Sequence, residues 1–142
     1  FQDNLHDTPF FVIYGDNHLS FDLIDLKLFN EKMKADISIL FYWCNNVRNS
    51  GIAEFDSQDR INKFVEKPLD TNYNHDWVNA GVYYIQSTSI IDLIQPKDDF
   101  GYDIFPKLLK MKYDLYGLKA SVDLIAIDTP ELLLESSNKF EN

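Results

Sequence analysis

Pro9-Phe10-Phe11-Val12-Ile13-Tyr14-Gly15-Asp16-Asn17 reads as a strand that is apolar along its whole length and then stops at three turn formers. A strand buried on both faces, as in a parallel sheet, has this unbroken apolar character. Downstream, Ser20 is placed to cap a helix over about residues 21–34, with Asp22 and Asp25 near its positive end. Leu26, Phe29 and Met33 recur at helical spacing, as do Ile24 and Leu28. Asp36 then precedes a second apolar run, Ile37 to Trp43. Strand, helix and strand of these lengths predict a βαβ unit with a right-handed crossover.

The middle of the chain changes character. Residues 51–65 read as a hairpin whose turn, Asp56 to Asp59, is rich in turn residues. Residues 69–76 form a polar loop, and Trp77 to Gln86 is the next strand. Short helices are predicted over 87–94, closed by Pro96, and over 102–111, where Pro106 falls near the first turn. Short strands follow at 115–118 and 124–127. Thr129 then caps a last helix with Pro130 at its first position. The pattern is α/β with a mixed rather than purely parallel sheet.

The 142 residues suit one domain, and 45% hydrophobic content supports a real core. A net charge of −10 argues against nucleic acid and against an anionic membrane surface. No run reaches the ~20 apolar residues of a membrane span, and no signal peptide is visible. With Cys44 as the only cysteine, a reducing, cytoplasmic setting is expected. The chain opens with Phe1 rather than Met and is expected to be a piece of something longer.

Two strands carry groups that burial alone does not require. Phe64-Val65-Glu66-Lys67-Pro68 ends an apolar run on an acid and a base. Trp77-Val78-Asn79-Ala80-Gly81-Val82-Tyr83-Tyr84 carries an amide and a glycine in its middle. Asparagine is poor in strands, and glycine in a strand often marks close approach of a ligand or of another backbone. Together they point to a site for a polar, anionic small molecule. Each feature also has a plain reading: a surface ion pair for Glu66-Lys67, and a bulge at Asn79 and Gly81. Asp16 lies just past the carboxyl end of a strand, where open α/β sheets bind ligands and where a carboxylate can hold Mg²⁺. Taken alone, a simple turn is the plainer reading of the three turn formers Gly15, Asp16 and Asn17. His6, His18 and His75 read as surface residues.

In order along the chain, these segments resemble the sugar-phosphate nucleotidyltransferases, among them the glucose-1-phosphate thymidylyltransferases and the mannose- and heptose-1-phosphate guanylyltransferases. The similar segments are residues 10–17, 51–56, 64–68 (the Glu-Lys-Pro), 78–83 (the Asn-Ala-Gly strand), 99–106 and 127–131. The resemblance implies a Rossmann-like fold and a Mg²⁺-dependent reaction of a nucleoside triphosphate with a sugar 1-phosphate. It implies catalytic roles for Asp16 and Lys67, with Asp16 as a metal ligand. It also implies sugar-phosphate binding by Gly51, Glu66, Lys67, Asn79 and Gly81, and a cytoplasmic enzyme of polysaccharide precursor synthesis that can form a homo-oligomer.

Two departures qualify this. The family's glycine-rich nucleotide loop has no counterpart. Residues 1–142 are therefore expected to be the C-terminal, sugar-phosphate-binding part of one nucleotidyltransferase domain, inactive by itself. The family's second metal aspartate falls at Ala126, so that role passes to Asp128. A non-catalytic relative that keeps the fold, or a metal-dependent glycosyltransferase, are the rival expectations.

Overall fold

A computed structural model of the chain describes residues 8–45, 47–69, 76–122 and 124–126. The elements run β1 (Phe10–Ile13), β2 (Asn17–Leu19), α1 (Leu23–Met33), β3 (Ile37–Cys44), β4 (Gly51–Phe55), β5 (Ile61–Glu66) and β6 (Asp76–Ile85). A 3-10 turn (Thr88–Leu93) follows. A π turn (Phe100–Ile104) then runs straight into α2 (Phe105–Lys110), before β7 (Leu115–Lys119) and β8 (Leu124–Ala126). The predicted helix with Thr129 and Pro130, the loop over 70–75, and Asp128, His6 and His75 lie outside the described residues.

The sheet is mixed, as expected, in the order β5-β4-β6-β3-β7, with β1 also on β6. β7 is parallel to β3, and β3 is antiparallel to β6. β1 and β3 therefore run in the same direction but do not touch, because β6 lies between them. The sequence signal for a βαβ unit is correct in direction and incomplete in neighbours: a strand from far along the chain is inserted into it. β1 is only half-buried rather than buried on both faces. Its inner edge pairs with β6, and among the described residues no strand pairs with its outer edge. The short β2 and β8 form a separate antiparallel pair.

β6 has ten residues and shares one edge between two partners. Val78 pairs with Ile52 of β4, whereas Val82 to Ile85 pair with β1. The change of partner falls at Gly81, whose φ is +69°. On the other edge Ile39 opposes Tyr83 and Phe41 opposes Asn79, so β6 carries extra residues there. That is the bulge anticipated from Asn79 and Gly81, and the left-handed backbone explains the glycine.

Alternation along β3 builds the core on both faces. Ile37, Ile39 and Phe41 join Phe64, Tyr83, Phe105 and Leu108 on one face. Leu40 meets Leu26 of α1 with Ala80, Val82 and Tyr84 on the other. Ser38 on that second face accepts a buried hydrogen bond from Asn30 of α1 at 2.9 Å. The helix is capped by Asp22, whose side chain accepts from the Ile24 N–H at 2.9 Å, rather than by Ser20. Both residue types cap well; the helix simply begins later. Leu26 and Asn30 face inward, leaving Ile24 and Leu28 exposed. The hairpin turn is as predicted: Asp56 Oδ1 accepts from the N–H groups of Gln58 and Arg60.

Candidate active site

A cavity of about 570 Å³ opens where β1 ends, where β4 and β5 meet, and where β6 bulges. Asp16, Gly51, Glu66, Lys67, Asn79 and Gly81, all singled out in the sequence, line this one cavity. Asp128, the seventh, lies outside the described residues.

The end of β1 is fastened to the β6 bulge. The Tyr14 N–H donates to Gly81 O at 2.9 Å, and Asn17 Nδ2 donates to Ala80 O at 3.1 Å. The Gly15-Asp16 turn between them is thus held over the cavity mouth. Asp16 is exposed, and no hydrogen bond to its carboxylate is made by a described residue. The bulge needs glycine for space as well as for φ: a Cβ on Gly81 would lie 2.8 Å from Asn17 Nδ2 and 2.9 Å from Tyr14 Cγ.

Glu66 closes β5 opposite Gly51, which opens β4. Its half-buried carboxylate sits in a slot between two glycines. A Cβ on Gly51 would come within 2.5 Å of Glu66 Oε2, and one on Gly101 would collide with the same oxygen. Burial raises the Glu66 pKa above the ordinary carboxylate value, nearby Asp99 adds to the rise, and Lys67 opposes it. No described residue donates a hydrogen bond to this carboxylate, which leaves its oxygens for a ligand.

Lys67 adopts φ +47°, an uncommon backbone for a residue other than glycine, immediately before Pro68. Its N–H donates to Ser50 O at 3.2 Å, tying the strand end to the cavity wall. Strain of this kind, of order 1–3 kcal/mol, persists where the surroundings over-determine it.

Asn79 is spoken for within its own strand. Its Oδ1 accepts from the Gly81 N–H at 2.9 Å, and its Nδ2 donates to the Tyr83 hydroxyl at 2.8 Å. Burial raises the pKa of Tyr83 strongly and that of Tyr14 to a lesser degree, so both stay protonated.

Sequence reasoning gave no role to Tyr14, Tyr42, Asp99, Gly101 or Tyr102. Tyr14 reads as the end of a core strand. Asp99 and Gly101 stand in a segment noted for its family likeness, but only the π turn brings them against Glu66. Asp99 also caps that turn, accepting from the Tyr102 N–H at 2.8 Å.

The lining is acidic: Asp16, Glu66 and Asp99 against Lys67. An anionic ligand here benefits from a divalent cation. Among the described residues no group of three or more potential ligands is gathered. Mg²⁺ is commonly held by one or two carboxylates, with water and substrate oxygens completing the shell. The exposed Asp16, whose carboxylate takes no hydrogen bond from a described residue, fits that arrangement as a single anchor.

The profile of the family described as "Nucleotidyl transferase" matches residues 1–123. A mannose-1-phosphate guanyltransferase of Yarrowia lipolytica is 32% identical over 117 residues, covering 78% of this chain and 31% of that protein. A glucose-1-phosphate adenylyltransferase of Clostridium acetobutylicum is 27% identical over 124 residues, covering 80% of this chain and 32% of that one. The chain therefore spans about a third of the length of these curated relatives. In fold it is similar to crystallised HddC from Yersinia pseudotuberculosis, with a TM-score of 0.75 at 24% identity, over 98% of this chain and 58% of that one. The same protein complexed with GMP-PN matches with a TM-score of 0.73. With the family profile covering most of its length, the chain belongs to the nucleotidyl transferase family.

Proposed function

We propose that this chain supplies the sugar-phosphate subsite of an enzyme that joins a nucleoside triphosphate to a sugar 1-phosphate. The products are a nucleotide sugar and pyrophosphate. The observation that carries the reading is the convergence of Lys67, Glu66, the Gly51 and Gly81 backbone and the exposed Asp16 on one cavity in a chain of this family.

In this reading a phosphate oxygen of the sugar 1-phosphate attacks the α-phosphorus of the triphosphate. The new P–O bond forms as the bond to the β-phosphate oxygen breaks, and pyrophosphate departs with that electron pair. Chemistry of this type relies on positioning and on charge neutralisation. Lys67 faces the sugar phosphate as a point charge. Glu66, held in its glycine slot, accepts hydrogen bonds from sugar hydroxyls. Asn79 keeps the bulge in shape and presents its remaining amide hydrogen. Asp16 would hold Mg²⁺, with Asp128 as the proposed second ligand; the ion supplies positive charge to the phosphates. The reaction belongs in the cytoplasm, where nucleoside triphosphates are available, as a step toward polysaccharide precursors.

The test is pyrophosphate release by the full-length protein with Mg²⁺, the nucleoside triphosphates and a panel of sugar 1-phosphates. Release with at least one pair, abolished in a folded Asp16→Asn variant, is expected. No release from a folded protein with any pair contradicts the reading and favours a non-catalytic binding relative. Release undiminished in Asp16→Asn removes Asp16 from the metal role.

A further inference from the structure

The π turn sends its two aromatic residues in different directions. Phe100 packs with Tyr83 and Phe105, at centroid distances of 5.1 and 5.6 Å. Tyr102 is instead 56% exposed, and it lines the cavity together with Asp99, Glu66 and Lys67. A single exposed tyrosine is ordinary on a protein surface. This one stands in a cavity wall, on a backbone held by several hydrogen bonds. Asp99 Oδ1 accepts from the Tyr102 N–H at 2.8 Å, and the Asp99 N–H donates to Asp103 Oδ2 at 2.9 Å. Asp99 O accepts from the N–H groups of Asp103 at 2.9 Å and Ile104 at 3.1 Å. Ile104 and Phe105 then enter the core. What is left free is the rotation of the Tyr102 side chain about its two torsions, so ordering the ring against a ligand costs little entropy.

Gly101 sets the distance from this residue to Glu66. A Cβ on Gly101 would lie 2.8 Å from Glu66 Cδ, and neighbouring Cα atoms stand about 3.8 Å apart. The Glu66 carboxyl carbon is therefore within about 8 Å of the Tyr102 Cα. A sugar hydroxyl bonded to Glu66 at about 2.7 Å brings its pyranose ring within reach of the Tyr102 side chain.

A pyranose has two kinds of surface. Hydroxyls fringe its edge and need hydrogen-bond partners, whereas C–H bonds occupy its faces and need apolar surface. Glu66, Asp99 and the Gly51 backbone serve the edge. The face of an aromatic ring offers apolar area, and its negative quadrupole suits the slightly positive C–H hydrogens. We propose that the Tyr102 ring packs face-on against the C–H face of the sugar, making Tyr102 a specificity-determining contact that selects sugars by the orientation of their hydroxyls. An epimer that places a hydroxyl axially on the packed face loses the contact. This rests on the sugar 1-phosphate reading above and deepens it. A nucleobase would also stack on a tyrosine; the carboxylate of Glu66 beside the ring, an acceptor for hydroxyls, assigns Tyr102 to the sugar.

The experiment uses the full-length protein, unaltered and as Tyr102→Phe and Tyr102→Leu. Phenylalanine keeps the aromatic face; leucine keeps apolar bulk without it. The side chain is more than half exposed, so both variants should fold, and a melting curve checks this. The probes are the panel of sugar 1-phosphates, beginning with the epimers glucose and mannose 1-phosphate, and separately the nucleoside triphosphates. In calorimetric titration Tyr102→Phe should bind the preferred sugar 1-phosphate within about twofold of the unaltered protein, and Tyr102→Leu roughly three- to tenfold more weakly. The preference between epimers should shrink in Tyr102→Leu, and triphosphate affinity should stay unchanged in both. In NMR spectra of the ligand, sugar C–H resonances should move upfield on binding to the unaltered protein and to Tyr102→Phe, through the ring current, and not on binding to Tyr102→Leu. Full sugar affinity in Tyr102→Leu, upfield shifts that persist in it, or a loss that falls on the triphosphates instead overturns the inference while leaving the sugar 1-phosphate reading intact. Failure of the unaltered protein to bind any sugar 1-phosphate of the panel overturns both.

Discussion

Replacing Gly101 by alanine separates the stability of the fold from the geometry of the site. Gly101 is buried in the π turn and has no positive φ, so its backbone accepts alanine without strain. The added methyl collides only with the Glu66 side chain among its nearest neighbours, lying 2.8 Å from Cδ and 3.1 Å from Cγ. Reaching ordinary contact at 3.4 Å requires the carboxyl carbon to retreat by about 0.6 Å and Oε2, the nearest atom, by about twice that, and Gly51 leaves no slack on the far side. Rotating a flexible side chain off its rotamer costs of order 0.5–1.5 kcal/mol. Substituting alanine for glycine recovers about 0.4–1 kcal/mol from the unfolded chain. Stability should therefore change by less than about 1 kcal/mol. Binding should suffer far more, because a misplacement of about 1 Å can reduce activity on the order of a hundredfold. Urea unfolding and sugar 1-phosphate titration of Gly101→Ala, Glu66→Ala and the double variant measure both quantities. Gly101→Ala should lose affinity about as Glu66→Ala does, and the double variant should lose little more. Full affinity in Gly101→Ala, or a loss of several kcal/mol in stability that persists in the double variant, would refute the glycine slot.

Three further outcomes follow from the same geometry. Asn79→Ala deprives the Gly81 N–H and the Tyr83 hydroxyl of their partners and should cost about 1–3 kcal/mol in urea unfolding; a near-neutral result would mean that the bulge holds without it. Lys67→Gly should be about 1 kcal/mol more stable than Lys67→Ala, since glycine accepts φ +47° freely, while both lose phosphate affinity alike. Glu66 has a raised pKa when folded, so the folded protein holds this proton to higher pH than the unfolded chain does, and its contribution to stability falls as pH climbs through and just above 4.5. Glu66→Gln should flatten that part of the stability profile. Sugar affinity, which needs the carboxylate ionised, should weaken on acidification at a pH above the ordinary glutamate range.

The sequence showed where the strands are because apolar runs bounded by turn formers are local signals. It also pointed to β6, because Asn79 and Gly81 are out of character in a strand. What it left open was non-local. That β6 enters between β1 and β3 depends on pairing residues some seventy positions apart, such as Phe10 with Ile85. Local patterning cannot rank Ser20 against Asp22 as a cap, since both side chains serve. Tyr14 looked like core because it packs against the core, although it also lines the cavity. Asp99 and Gly101 meet Glu66 through a π turn, for which no spacing rule gives warning. Of the described residues chosen for chemistry, Asn79 and Gly81 are out of character in a strand, whereas Asp16, Gly51, Glu66 and Lys67 sit at strand ends where polar and turn residues are ordinary, so that they meet in one cavity is non-local information.

The claim underlying the account is that these dispersed residues form one sugar-phosphate subsite. Titrating a sugar 1-phosphate into isotopically labelled protein, and following backbone amide shifts by NMR, tests it directly. The account predicts saturable shifts concentrated at Gly51, Glu66, Lys67, Asn79 and Gly81, with the π turn at Gly101 responding and the exposed face of α1 at Ile24 and Leu28 silent. Saturable shifts that centre elsewhere, or no shifts with any sugar 1-phosphate, would contradict it.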